Sequence, residues 1–63
     1  MKIIRLKEVI SITGLSKTTI YSRMAENAFP KTISLGKNSV GWIESEIYQW
    51  VENLVADRDG EAA

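Results

Sequence analysis

Hydrophobic positions near the start of the chain recur with the period of an α-helix. Between residues 6 and 13 they lie at i, i+3, i+4 and i+7, which places Leu6, Val9, Ile10 and Thr13 on one side of a helix. Gly14 follows directly, and glycine readily takes the left-handed conformation that ends a helix. The pattern therefore predicts a first helix over residues 6–13.

A second helix is predicted over residues 16–27. Ser16 can cap its N-terminus because the serine oxygen accepts a backbone N–H two or three residues further on. Ile20 and Met24 lie four residues apart and form its buried side. Pro30 ends the segment, since the residue before a proline avoids the helical conformation. The short break with a glycine between the two helices is typical of a helix-turn-helix.

The hydrophobic period then changes from helical to alternating, and back again. Residues 32–35 alternate polar and apolar, residues 36–39 (GKNS) form a turn cluster, and residues 40–42 resume the alternation, which predicts a β-hairpin over residues 32–42. Residues 57–63 have no apolar anchor, so we expect a disordered or frayed tail there. A last helix over residues 44–55 is predicted by the helical spacing of Ile43, Ile47, Trp50, Val51 and Leu54.

This order of elements predicts a mainly α fold with a β-hairpin, a small winged helix-turn-helix. The domain spans residues 1–56, and the hairpin at residues 32–42 is the wing. A two-stranded hairpin is not stable alone, so it must pack on the helices. The expected core consists of Leu6, Val9, Ile12, Leu15, Ile20, Met24, Phe29, Ile33, Leu35, Val40, Trp42, Ile47, Trp50, Val51 and Leu54.

The composition excludes several functional classes. The 63 residues suffice for one small domain, and they include no cysteine and no histidine. Thiolate metal sites, the commonest general base and the commonest zinc ligand are therefore absent from the sequence. We expect no enzyme, no cofactor, no metal and no small-molecule ligand. No apolar stretch is long enough to span a membrane, so a cytoplasmic protein is the expectation.

The charges are divided between two parts of the chain although the net charge is zero. Residues 1–40 carry seven cations and two acids, a net charge of +5, whereas residues 41–63 carry one cation and six acids, a net charge of −5. Such an asymmetry indicates a charged partner. Salt screens exposed charges beyond about 8 Å, so a basic surface acts locally in a neutral molecule.

The outer face of the second predicted helix carries hydroxyl groups and cations, and no acid before Glu26. Such a helix can enter the DNA major groove, and its free N-terminal N–H groups can hold a phosphate. The glycine-bracketed hairpin tip can approach a phosphate or a minor groove. A solvated helix face and an ordinary turn are the alternatives. The candidate double-stranded DNA-binding residues are Lys17, Thr18, Thr19, Tyr21, Ser22, Arg23, Lys37 and Asn38.

A protein-interaction module is the alternative of another class. Trp42 and Trp50 lie on apolar stripes, which favours a core position over a stacking platform for single strands. Tyr48 lies off the stripe among acidic residues, which suits a contact with a protein better than one with nucleic acid. The acidic helix 44–55 would then dock a basic partner, such as an integrase or an RNA polymerase subunit.

Short motifs extend along nearly the whole chain. They are residues 5–9 (RLKEV), 13–21 (TGLSKTTIY), 29–31 (FPK), 36–42 (GKNSVGW), 44–47 (ESEI) and Trp50. Together they resemble the AlpA family of prophage transcriptional regulators, which are small helix-turn-helix proteins similar to excisionases and to the MerR-type winged helix. The resemblance implies regulation of element genes such as the integrase, or an excisionase-like role as a recombination directionality factor.

The expected contacts with DNA divide into base reading and phosphate binding. Thr18, Tyr21 and Ser22 would meet base edges or a thymine methyl, while Lys37 and Asn38 would touch the backbone. The family often carries arginine at the tip, and lysine lacks the bidentate fork of arginine, so phosphate contact is the expectation there. One small module buries only about 600–1,000 Å² on DNA, so we expect a dimer or adjacent copies. Phosphate contacts are assigned to Lys17, Thr19 and Arg23, with weaker ones from Lys7 and Lys31.

Overall fold

Six elements follow one another in the order strand, helix, helix, strand, strand, helix. The structure is a computed structural model that describes the backbone of residues 1–62 and the side-chain surroundings of residues 1–58. It confirms the two predicted N-terminal helices, the hairpin and the last helix, and it adds a short N-terminal strand. The elements are β1 (Ile3–Ile4), α1 (Leu6–Thr13), α2 (Lys17–Ala25), β2 (Ile33–Gly36), β3 (Ser39–Ile43) and α3 (Glu44–Ala62).

The turn between α1 and α2 is built as the sequence predicts. Gly14 has a φ of 73°, and its N–H donates to the carbonyl of Ile10 at 2.8 Å. The Thr13 hydroxyl donates to the carbonyl of Val9 at 2.8 Å and accepts the N–H of Leu15 at 3.2 Å. These bonds satisfy backbone groups that the end of α1 leaves free, so the chain turns within three residues into the next helix.

Both ends of α2 are defined by local hydrogen bonds. The Ser16 side chain accepts the N–H of Thr19 at 3.2 Å, which confirms Ser16 as the N-cap. At the other end, Asn27 takes a left-handed φ of 59°, and the N–H of Ala28 donates to the carbonyl of Arg23 at 2.8 Å. The helix therefore ends at Ala25, two residues before the predicted limit of residue 27.

The hairpin is part of a three-stranded antiparallel sheet in the order β1-β3-β2. Ile4 pairs with Trp42 in the centre of this sheet. The strand β1 was not predicted, because two residues are too few to show an alternating pattern. The structure also narrows the turn from four residues to two, since Gly36 and Ser39 pair with each other. The helix α3 follows β3 directly, with no loop between Ile43 and Glu44. The N–H of Glu44 donates to the carbonyl of Lys2 at 2.8 Å, which holds the start of α3 beside the start of β1.

The core lies between the three helices and one face of the sheet. Among residues 1–58, its buried hydrophobic side chains are Ile4, Val9, Ile20, Phe29, Trp42 and Ile47. Trp42 is fully buried, and its indole N–H donates to the carbonyl of Pro30 at 3.1 Å. The rings of Phe29 and Trp42 pack edge to face, with 6.5 Å between their centroids. Leu6, Ile12, Leu15, Met24 and Trp50 pack against this cluster as half-buried neighbours, as predicted.

Among the described residues, three of the expected core are exposed, and one buried hydrophobic residue was missed. Leu35 is 44% exposed, Val40 is 38% exposed and Leu54 is 47% exposed, so the prediction was wrong for them. The hairpin extends past the helices, and α3 extends past the core, so apolar periodicity continues where nothing packs against it. Ile4, at 1% exposure, takes a central place in the core through its pairing with Trp42.

The last helix is longer than the predicted residues 44–55. It runs to Ala62 and therefore includes most of the segment that we expected to be a frayed or disordered tail. The domain limit at residue 56 and the fraying of residues 57–63 stay predictions, because Ala63 and the side-chain surroundings from residue 59 onward lie outside the described part of the chain.

Candidate nucleic-acid interface

The outer face of α2 is exposed because the opposite face is anchored in the core. Ile20 is fully buried, and successive helical residues are about 100° apart, which places Thr18 and Ser22 directly opposite it. Both side chains are exposed, whereas Thr19 is half-buried on the flank of the helix. The Thr19 hydroxyl accepts a hydrogen bond from Ser16 at 3.0 Å, so it is less free for a ligand than the other two hydroxyls.

Tyr21 connects the second helix to the root of the hairpin. Its ring centroid lies 6.5 Å from that of Trp42 on β3, with the two planes inclined by 57°. The side chain is nevertheless 40% exposed. Packing against a fully buried indole restricts the tyrosine ring on one side and leaves the other side open to a ligand. Tyr21 is therefore a pre-oriented aromatic group between α2 and the wing.

Arg23 is held on the other flank of α2. Its guanidinium carbon lies 6.0 Å from the centroid of the Trp50 ring on α3, a distance typical of a cation–π contact. Trp50 is itself fixed, since its indole N–H donates to the carbonyl of Ala28 at 2.9 Å and its ring lies 4.7 Å from that of Phe29. The charge of Arg23 is thus positioned by the aromatic groups beneath it.

A shallow concavity of about 380 Å³ runs along this side of α2. Hydroxyl groups and one guanidinium line most of it, and Glu26 lies at one end. Hydroxyls and arginine are the groups that hold phosphate oxygens and base edges in protein–DNA complexes. Four of the predicted site residues are brought together in this concavity, namely Thr18, Thr19, Ser22 and Arg23.

Three predicted residues remain: Lys17 is exposed as the first residue of α2, and the other two form the tip of the wing. Lys37 and Asn38 are exposed, and they make up the whole loop between β2 and β3. Asn38 has a φ of 60° and Gly36 a φ of 145°, both in the left-handed region that asparagine and glycine tolerate best. The tip is therefore a narrow protrusion that carries one cation and one amide.

Ala25 also belongs to this face of α2, although it was not among the predicted site residues. This exposed residue lies three positions after Ser22 and four after Tyr21, so it shares their side of α2. A methyl group on that face can contact the C5 methyl of thymine. The signal was present in the spacing from Thr18 to Ser22 to Ala25, but alanine has no chemistry that draws attention to it.

In the described part of the chain there is no group of three or more side chains from His, Cys, Asp and Glu placed to hold a metal ion. Within the same residues, none of the helices is long and apolar enough to cross a membrane.

Comparison with known proteins places this architecture in a family. Residues 2–55 match the family described as "Prophage CP4-57 regulatory protein (AlpA)". The chain is 44% identical over 57 residues to a protein of Escherichia coli strain K12 named "DNA-binding transcriptional activator AlpA", with 81% of each chain covered. It is 37% identical over 57 residues to "Uncharacterized protein ORF88" of Enterobacteria phage P4. That match covers 90% of this chain and 65% of the phage protein, so the chain spans slightly less than two thirds of its length.

The family match extends from β1 into α3 and includes both α2 and the wing. It confirms the resemblance read from the sequence motifs, and the small winged helix-turn-helix fold agrees with it. The chain therefore belongs to the AlpA family of prophage regulatory proteins.

Proposed function

We propose that this chain is a sequence-specific, double-stranded DNA-binding transcriptional regulator of prophage or integrative-element genes, and not an enzyme. The observation that carries the proposal is the exposed outer face of α2, which is polar, has no acid from residue 17 to residue 25, and lies opposite the fully buried Ile20. The E. coli relative is named as a DNA-binding transcriptional activator, which supports the same function. Binding to DNA would place the protein in the cytoplasm.

In the proposed complex α2 enters the major groove, which is about 12 Å wide and admits one helix. Thr18, Tyr21 and Ser22 face base edges, and Ala25 adds a methyl group to the same surface. Base edges are read by short hydrogen-bonding side chains and by apolar contact with thymine methyls, which matches this set.

Phosphates on either side of the groove are held by the flanks of α2. Lys17 lies in the first turn, beside the helix N-terminus, where free N–H groups also attract an anion. Arg23 lies against Trp50, so part of the entropy cost of ordering its side chain is already met in the free protein. Thr19 completes this flank, and the wing tip with Lys37 and Asn38 contacts the backbone beside the groove.

A nuclear magnetic resonance titration with a mixed-sequence duplex tests the proposal. Amides of residues 17–25 and 37–39 are expected to shift at low salt, and the shifts are expected to collapse as salt rises. With about three to five phosphates neutralised, the slope of log K against log salt is roughly −3 to −4.5. Shifts confined to residues 44–52, with α2 silent at low salt, would contradict the proposal.

Matched pairs of charge variants separate this function from a protein-interaction module. The double change Lys17→Gln and Arg23→Gln is expected to weaken DNA binding and to lower the salt slope by about two. Glu46→Gln and Glu52→Gln, on the acidic helix α3, leave the slope unchanged. If the glutamate pair instead strengthens binding and steepens the slope by as much as the first pair weakens them, the effect follows net charge and not the face of α2.

Regulation and an excisionase-like role use the same surface. The location of selected binding sites distinguishes them, because a regulator of transcription binds in a promoter and a recombination factor binds in an attachment arm.

A further inference from the structure

The sheet has a second apolar face that points away from the core. Ile4 and Trp42 pair on the core side, so their neighbours in the alternation lie on the opposite side. Ile3 pairs with Ile43 there, and Ile33 pairs with Gly41. These three isoleucines are half-buried, which means that each still offers apolar surface to a partner.

This outer sheet face is continuous across all three strands. A Cβ placed on Gly41 would lie 2.7 Å from the Cγ2 of Ile3 on β1 and 3.1 Å from the Cδ1 of Leu35 on β2. The two side chains therefore close over the glycine from opposite edges of the sheet. Leu35 itself remains 44% exposed. The outer sheet face comprises Ile3, Ile33, Leu35 and Ile43 around Gly41.

A second apolar surface lies on α3, beyond its contacts with the core. Val51 is half-buried, Leu54 is 47% exposed and Val55 is 44% exposed. Their spacing of three and one residues places them on one side of the helix, in line with the buried Ile47. Tyr48, 48% exposed, borders the same strip. We define Val51, Leu54 and Val55 as the α3 stripe.

The two surfaces carry opposite charges around them. The strands β1 and β2 and the wing tip belong to residues 1–40, whose net charge is +5. Lys37 lies at the tip two residues after Leu35, and Lys2, directly before β1, forms an ion pair with Glu44 at 3.7 Å. The α3 stripe belongs to residues 41–63, whose net charge is −5. Glu52 and Asp57 border the stripe on its two sides, and Arg58 continues its line one turn after Leu54. A contact between two copies of the same surface would bring like charges together, whereas a contact between different surfaces joins opposite charges.

We propose that the α3 stripe of one copy of this chain docks on the outer sheet face of the next copy, in a head-to-tail row along DNA. A contact between two different surfaces leaves one of each free at the ends, so it can repeat. Neither surface includes the outer face of α2, which stays available to DNA in every copy. The contact is small and acts between copies already held on one duplex, where the effective concentration is high. This inference rests on the proposed DNA binding.

The head-to-tail row along DNA predicts that copies of the chain bind a long duplex cooperatively. Affinity per copy is measured on a short duplex that accommodates one copy and on a long mixed-sequence duplex. The wild-type chain is expected to bind the long duplex about tenfold more tightly per copy, within the usual range of coupling between sites. Equal affinity per copy on both duplexes would overturn the row and leave DNA binding intact. Absence of binding to the short duplex at low salt would overturn both proposals.

Variants of each surface have matched controls on the same hairpin or on the same helix. Leu35→Thr on the sheet face, and Leu54→Ala with Val55→Ala on the stripe, are each expected to abolish the gain on the long duplex and to preserve binding to the short one. The controls are Val40→Thr, on the adjacent strand but on the other face of the sheet, and Asn53→Ala, on the opposite side of α3. Both controls are expected to keep the full gain.

A mixture of the two variants distinguishes a head-to-tail contact from a symmetric one. The Leu35 variant still has an intact stripe, and the Leu54 and Val55 variant still has an intact sheet face. Each mixed pair can therefore form one complete contact, and cooperative binding of pairs is expected to return. No recovery in the mixture, or loss of cooperativity from only one of the two surfaces, would overturn the proposal.

Discussion

Replacing Gly41 with alanine tests how closely the N-terminal strand lies against the hairpin. The backbone of Gly41 is not in the left-handed region, so alanine is conformationally acceptable there. Strand preference and chain entropy alone predict that replacing a glycine with alanine at a compatible site raises the free energy of unfolding by about 0.4–1 kcal/mol. The structure predicts the opposite sign because the space for a Cβ is occupied.

The size of the effect follows from which neighbours can move. The new Cβ would lie 2.7 Å from the Ile3 Cγ2, which can rotate away, but also 2.9 Å from the carbonyl oxygen of Ile4. That oxygen belongs to the backbone of β1, so relief requires β1 to separate from β3. Overpacking of this kind costs about 1–3 kcal/mol. A domain of this length has roughly 3–9 kcal/mol of stability in total.

Thermal unfolding followed by circular dichroism measures the consequence. At about 4–8 °C per kcal/mol for a domain of this size, Gly41→Ala is expected to lower Tm by about 5–20 °C. Val40→Thr, an exposed and β-branched neighbour, is the control and should stay within about 0.5 kcal/mol of the wild type. A Tm equal to or above that of the wild type would refute the close approach of β1 to β3.

Substitutions at three further positions test single contacts. Ser16→Ala removes the acceptor for the N–H of Thr19 and should lower the free energy of unfolding by about 1 kcal/mol, whereas Ser16→Gly should cost only a few tenths, both from urea titrations. Trp50→Phe removes the donor to the carbonyl of Ala28 and should cost about 1 kcal/mol, and an unchanged urea midpoint would show that this bond contributes nothing. Lys37→Gln should lower the magnitude of the salt slope of DNA binding by about one, and an unchanged slope would remove the wing tip from the phosphate contacts.

The helices of this fold could be predicted from sequence because their signals are local. Gly14 and Ser16 act on backbone groups within four residues, and the structure confirms both. The strand β1 depends instead on pairing between residues 3–4 and 42–43, far apart in the chain. Two residues without a partner carry no strand signal, so Ile4 was missed as a core residue.

Apolar periodicity also predicted a larger core than the structure has, both in the wing and along α3. Leu35 and Leu54 continue patterns whose inner members are buried, yet both are exposed. A periodic pattern shows which side of an element is apolar, but not where the packing partner ends. The same limit applies to the candidate site, since spacing placed Thr18 and Ser22 on one face and could not reveal that Arg23 lies over Trp50.

The separation of anchoring and reading positions on α2 has a consequence for how specificity changes. Ile20 is the buried anchor, and Tyr21 and Arg23 lie against tryptophans of neighbouring elements. Thr18 and Ser22 are exposed on the opposite side, so the fold does not depend on which helix-compatible residues they are. Most surface substitutions of that kind stay within about 0.5 kcal/mol. Related elements could thus diverge in target site by exchanging two side chains on an unaltered scaffold. A library randomised at those positions to residues other than proline and glycine should remain folded throughout.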